Sequence, residues 1–306
     1  MTTLLDTNNR LFVLARQGTR QQSALVAIAV VLVILAVVII PGQLLARLVV
    51  RLTMADGTQS DTRTIVENIV GFLPVYLGFW LWLRLWIKRP FRSLGLESQG
   101  ALRYTLGGAL TATLMIAATA GLAIGSGAEP LKSETPGLTA LGIGLLSLMA
   151  YLVQGPAEEV LFRGWLLPVI GSRYRPWTGV LVSSLVFCVA HAGSHGITWL
   201  GFLNLFLFGV FAAFYALAEG GLWGICVWHA VWNWAQGDLL GFAVDGTSHA
   251  GILISIQATG PAIITGGAFG LEGGLGVTAV FLIAIGIIVL LSQRGARHDQ
   301  TSHSSD

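Results

Sequence analysis

Two adjacent carboxylates and an arginine stand in the segment GPAEEVLFRGW, Gly155 to Trp165, and two histidines and an asparagine follow in FCVAH, Phe187 to His191, and HAVWN, His229 to Asn233. These residue types move protons, orient water and donate hydrogen bonds to developing negative charge. Each residue of an α-helix advances by about 100°, so Glu159 and Arg163, four apart, share a face and can pair. Glu158 points about 100° away, toward the side of Leu161, Phe162 and Trp165. The three charges read as one ion pair plus a lone carboxylate. An ion pair has an ordinary structural use in tying helices together. A lone charge at the centre of a membrane span costs about 2.5–3.5 kcal/mol on insertion scales, so partners are expected, and a desolvated carboxyl suits general-base chemistry.

The elements that must position these groups are apolar. The chain has 306 residues, 54% of them hydrophobic and 10% charged, where soluble domains carry about a quarter charged. The apolar residues fall in runs long enough to cross a bilayer as helices. Eight spans are expected: Ala24–Ile40, Val66–Trp86, Leu106–Ile124, Thr139–Arg163, Trp177–His191, Leu200–Ala218, Leu222–Gln236 and Val277–Leu291. Strand-type alternation is absent, which argues against a β-barrel. The first run is too long, and too far from the start, for a cleavable signal peptide. The expected fold is all-α, a polytopic transmembrane helix bundle in the cell membrane, partnered by lipid and not by nucleic acid.

Four regions follow: a polar, cytoplasmic and mobile tail at 1–21, N-terminal transmembrane helices at 22–130, a core carrying the motifs at 139–292, and a polar tail at 293–306. With the N-terminus in the cytoplasm, thirteen basic residues from Arg10 to Arg297 fall on that side, against Arg47, Arg51, Arg63 and Lys132 opposite. The positive-inside bias thus favours both ends in the cytoplasm. Cys188 and Cys226 lack paired spacing and read as small buried apolar residues. The stretch HAGILISIQATGPAIITGGAFGLEGGLG is too broken by Gly and Pro for an ordinary span. It is either a loop folded back to line or gate a cavity, or a loop with no role. A single helix from Thr139 to Gly171 would measure roughly 50 Å, longer than the roughly 30 Å hydrocarbon core. It either tilts, or breaks at Gly155-Pro156 to give nine spans.

Depth arithmetic brings the motifs together. From the middle of the turn GSRYRP, Glu158 lies about sixteen residues back and His191 about seventeen on, and from the turn EGG, Asn233 lies roughly 18 Å along its helix. EEVLFR, FCVAH and HAVWN resemble the EExxxR, FxxxH and HxxxN motifs of the CAAX prenyl protease and bacteriocin-processing family, which are intramembrane proteases of the type II CAAX kind. The resemblance is close over roughly 139–237, and the glycine-rich ITGGAFGLEGG is similar to a segment of bacterial members.

The resemblance implies that Glu158 and His191 activate a water and that His229 and Asn233 stabilise the oxyanion. Glu159 and Arg163 would orient Glu158, and Phe187 would pack beneath His191. The substrate would be a membrane-associated protein or peptide, cut in CAAX-type or bacteriocin-related processing. No cofactor is expected; the alternative is zinc held by Glu158, His191 and His229, although HExxH is absent. A different class of reading is a non-catalytic immunity or scaffold protein that keeps the fold. A proton-coupled transporter would show repeat symmetry, which is absent. His195, Glu219, Asp238, Asp245, His249 and Glu272 read as loop or span-end residues in solvent, and Asn204 as an interhelical hydrogen bond.

Overall fold

Lipid offers no hydrogen-bond partner to the backbone, so apolar runs of this length settle as helices. The computed structural model describes residues 4–53, 60–127, 129–131, 137–249, 255–257 and 260–302. A short α1 (Arg10–Ala15) precedes α2 (Ala24–Leu52), α3 (Thr62–Ile87), α4 (Ala101–Gly125), α5 (Leu138–Arg173), α6 (Pro176–Ala190), α7 (Trp199–Glu219), α8 (Trp223–Trp234) and α9 (Leu275–Arg294). Six of them, α2 to α5, α7 and α9, are long and apolar enough to cross a membrane. The shorter α6 and α8 stand where the fifth and seventh spans were expected, and a π-turn, Ala235–Leu239, prolongs α8. The chain is a multi-pass, all-helical membrane protein but for one small feature: residues Glu129–Leu131 and Ser255–Gln257 pair as two short antiparallel strands.

Helix α5 does not break at Gly155-Pro156. It runs unbroken over 36 residues, about 54 Å, and accommodates Pro156 within its α-helical part. A π-helical stretch, Val160–Leu166, follows directly after the glutamate pair. Single π segments inside α-helices are frequent at functional sites.

Of the mobile tail expected at 1–21, the part around α1 packs onto the bundle instead. Asn9 caps α1 through Oδ1 and donates from Nδ2 to the Leu217 carbonyl at 2.8 Å, and Leu11 and Phe12 are buried. Phe12 seats against Gly171, where an added Cβ would stand 2.4 Å from the ring. Helix α8 lies against α4 and α5, α6 against α7, and α7 against α9. The aromatic rings of Trp228, Trp232, Phe211 and Phe281 stack behind α8 and stiffen the helix that carries His229 and Asn233.

The segment between α8 and α9 folds back onto the bundle. Phe242, Val244, Phe269 and Leu271 are buried in the core. Residues 250–254 and 258–259 of that segment, and Lys132 on the opposite loop, lie outside the described residues.

Candidate active site

Three helices bring the motif residues to one place. Glu158 is 15 residues from Arg173 at the end of α5, and His191 is 15 from Pro176 at the start of α6, each about 22 Å along the helix. His191 closes α6 as its C-terminal cap. Glu158 Oε2 stands 4.0 Å from His191 Nε2 and 4.0 Å from His229 Nε2. That oxygen is buried without a hydrogen-bond partner among the described residues. Glu158 Oε1 accepts from Gln154 Nε2 at 2.6 Å, and Gln154 Oε1 accepts from Asn233 Nδ2 at 3.1 Å. Gln154, one turn before Glu158, therefore links the first motif to the third. The sequence reading passed over it; its i,i−4 spacing from Glu158 was the available signal.

Behind this layer Glu159 and Arg163 are both fully buried. Glu159 Oε1 accepts from Arg163 Nη1 at 3.0 Å and from His229 Nδ1 at 2.8 Å. The ion pair thus reaches across to α8 and fixes the ring of His229. Arg163 Nη2 reaches the Gly209 carbonyl at 3.4 Å. Glycine is required there, because a Cβ on Gly209 would meet Ser184 at 2.7 Å where α7 crosses α6. His191 Nδ1 donates to the Phe187 carbonyl at 2.9 Å. Both imidazoles therefore commit Nδ1–H to fixed acceptors and turn Nε2 toward Glu158. Phe187 packs between the ring of His191, 4.5 Å away, and the Arg163 guanidinium, 4.7 Å away.

A small cavity opens beside these groups, lined by His191, Asn204, Phe208, His229, Asn233, Asp245 and Glu272 among others. Its two lining carboxylates, Asp245 and Glu272, come from the segment between α8 and α9, where sequence reasoning expected solvated charge. Glu272 is buried, accepting from Trp232 Nε1 at 3.1 Å and Gln236 Nε2 at 2.9 Å. Its burial, with the Asp245 charge beside it, pushes its pKa up to about 7. Asp245 brings Oδ2 within 3.9 Å of His191 Nε2 and holds the left-handed backbone, φ 48°, that side chains seldom adopt. Asp238 and His249 are buried as well, 3.5 Å apart, with Ser147 donating to Asp238. Glycines and apolar residues around each carboxylate concealed this burial from a reading of composition.

Asn204 lines the cavity and makes the expected interhelical bond, accepting from Thr278 Oγ1 at 2.7 Å. Its amide also donates to the Glu272 and Gly274 carbonyls. His195 lies beyond the end of α6 and takes no part in the cluster. Cys188 and Cys226 are free and buried. Among the described residues, no three His, Cys, Asp or Glu side chains are set to hold a metal ion.

Comparison with known proteins adds to this geometry. Residues 140–235 match the family described as Type II CAAX prenyl endopeptidase Rce1-like. An "Uncharacterized 24.3 kDa protein" of Escherichia coli is 33% identical over 105 residues, covering 33% of this chain and 48% of the relative. The chain therefore spans about half the length of that relative. No solved structure matches the chain. The match contains every residue of the three motifs, from Glu158 to Asn233, so it is in residues 140–235 that the chain is similar to the Rce1-like type II CAAX prenyl endopeptidase family.

Proposed function

We propose that the protein is an intramembrane endopeptidase that cuts a peptide bond of a membrane-associated protein or peptide without a metal. The observation that carries this reading is the placing of Glu158 Oε2 at 4.0 Å from two imidazole Nε2 atoms. Two hydrogen bonds of about 2.8 Å meeting at a right angle on one water span about 4.0 Å. Ligands held about 2.0–2.1 Å from one tetrahedral zinc would stand nearer, about 3.4 Å apart.

Glu158 takes a proton from the water as its oxygen attacks the peptide carbonyl, and the C–N bond then breaks as that proton passes to the leaving amine. His191 orients the water through Nε2. The negative oxygen of the intermediate lies toward Asn233 and His229. His229 commits Nδ1–H to Glu159 at 2.8 Å, which fixes its ring with Nε2 toward the reacting centre.

The test is cleavage by the full chain in liposomes. The substrates are farnesylated and unmodified peptides with varied C-termini, and membrane proteins of the source cell, with and without chelator. Glu158→Gln abolishes turnover, Asn233→Ala lowers kcat by about 10²–10³-fold, and the chelator leaves wild type unchanged. Undiminished cleavage by Glu158→Gln overturns the roles assigned here, and chelator-sensitive cleavage overturns the metal-free route.

A further inference from the structure

At the other end of α5, far from Glu158, four arginines converge. Arg16, Arg20, Arg89 and Arg173 line one small cleft, with Gln22, Ser172 and Trp165 among its walls. No carboxylate lines it, and among the described residues none of the four pairs with one. Arg89 is only 4% exposed. Its hydrogen bonds all run to neutral oxygens: Ser93 Oγ at 2.7 Å, the Ser93 carbonyl at 3.0 Å and the Ala15 carbonyl at 3.0 Å. Burial pushes its pKa down to about 10, still charged at neutral pH. Arg20 lies over the Trp86 ring at 4.3 Å, and Arg16 Nη2 donates to the Thr7 carbonyl at 2.8 Å.

A buried cation without a countercharge is costly, and three further guanidiniums around one cleft add like-charge repulsion. Such a site is electrically incomplete alone. Guanidinium pairs phosphate oxygens with two parallel hydrogen bonds, which makes arginine the residue of choice for phosphate. The cleft also sits at a particular level of the fold. α2 begins at Ala24, α3 ends at Ile87 and α5 ends at Arg173, so it opens where three spanning helices leave the apolar layer. Basic pockets between helices at that level fit anionic lipid headgroups.

We propose that the cleft of Arg16, Arg20, Arg89 and Arg173 is a binding site for a phosphate-bearing anion, filled in the membrane by the headgroup of an anionic phospholipid. The site is separate from the proposed proteolytic centre and does not depend on its assignment.

The experiment uses the purified full chain in micelles of a neutral detergent, titrated with phosphatidylglycerol, with phosphatidylcholine or with inorganic phosphate. Thermal unfolding and native mass spectrometry read stabilisation and retained lipid. Phosphatidylglycerol raises Tm saturably, phosphatidylcholine does not, and inorganic phosphate competes weakly. The double variant Arg20→Gln/Arg173→Gln, two exposed positions, binds phosphatidylglycerol on the order of tenfold more weakly. Arg103→Gln/Arg294→Gln removes the same charge from exposed positions outside the cleft and keeps wild-type binding. Saturable stabilisation by inorganic phosphate alone, lost in the cleft variant, upholds the anion site and overturns the lipid as its occupant. Equal phosphatidylglycerol binding by wild type and cleft variant, or equal stabilisation by phosphatidylcholine, overturns the proposal.

Discussion

Glu159 and Glu158 are neighbours in sequence with opposite structural uses, and substitution separates them. Glu159 neutralises Arg163, and both are 0% exposed. Removing one partner of a buried pair strands the other charge, which costs about 3–5 kcal/mol. Glu159→Gln is therefore expected to lower the unfolding temperature sharply and to lose activity through loss of fold. Glu158 is also buried, but one of its oxygens faces two imidazole nitrogens and no donor. Glu158→Gln relieves a desolvated charge, so its Tm should equal or exceed that of wild type while turnover disappears, a trade-off common at strained functional sites. Thermal melts of the two variants in detergent, run beside the cleavage assay, check the contrast; equal destabilisation by both would refute it. Helical periodicity alone made this division legible, since four-residue spacing put Glu159 with Arg163 and left Glu158 apart. The same arithmetic did not show His229 Nδ1 at Glu159 or Gln154 between Glu158 and Asn233. Those contacts depend on how α8 is rotated against α5, which no local pattern encodes.

The segment between α8 and α9 acts as an element although its regular structure is confined to short turns and one strand. Glycines and one proline made it read as a broken span, and its two alternatives, lining a cavity or having no role, were indistinguishable by composition. Packing separates them: Phe269 and Leu271 anchor it in the core, while Asp245 and Glu272 face the cavity. Glu272 carries a consequence for pH. Its pKa is about 7 in the fold against 4.5 ordinarily, so between those values the folded state holds a proton that the unfolded state has released. Stability of the segment is then greatest below about pH 4.5 and falls as pH rises through about 7. The shift corresponds to a few kcal/mol at most. Hydrogen exchange at the amides of residues 264–274, corrected for intrinsic rates, should show opening that grows by about one to two orders of magnitude from pH 5 to pH 8. Glu272→Gln should flatten that dependence. A pH-independent wild type would mean that Trp232, Gln236 and the backbone already stabilise the carboxylate fully.

At the scale of the whole molecule, hydropathy located the helices because a bilayer permits little else, and α2 to α9 each fall on an expected span. Lengths were less legible. The expected first span stopped at Ile40, whereas the helix continues to Leu52, because an amphipathic stretch with Gln43, Arg47 and Arg51 extends it without raising its hydropathy; the helix beyond Arg163, to Arg173, follows the single long segment weighed from Thr139 to Gly171. Unbroken α5 removes the helix break at Pro156 on which a nine-span arrangement rests. With eight segments, the ends of α3, α5, α7 and α9 share a side with the N-terminus, and the charge bias assigns that side to the cytoplasm. Single cysteines test the assignment, since Cys188 and Cys226 are 4% and 3% exposed and should give little background with a membrane-impermeant maleimide. Ser126→Cys, exposed after α4, should label on intact cells, and Ser98→Cys, exposed before it, only after permeabilisation. The reverse pattern would invert the molecule and, with it, the leaflet offered to the arginine cleft. It would also move the segment carrying Asp245 and Glu272 from the outer to the cytoplasmic side of Glu158, so one labelling experiment sets the direction from which a substrate must approach.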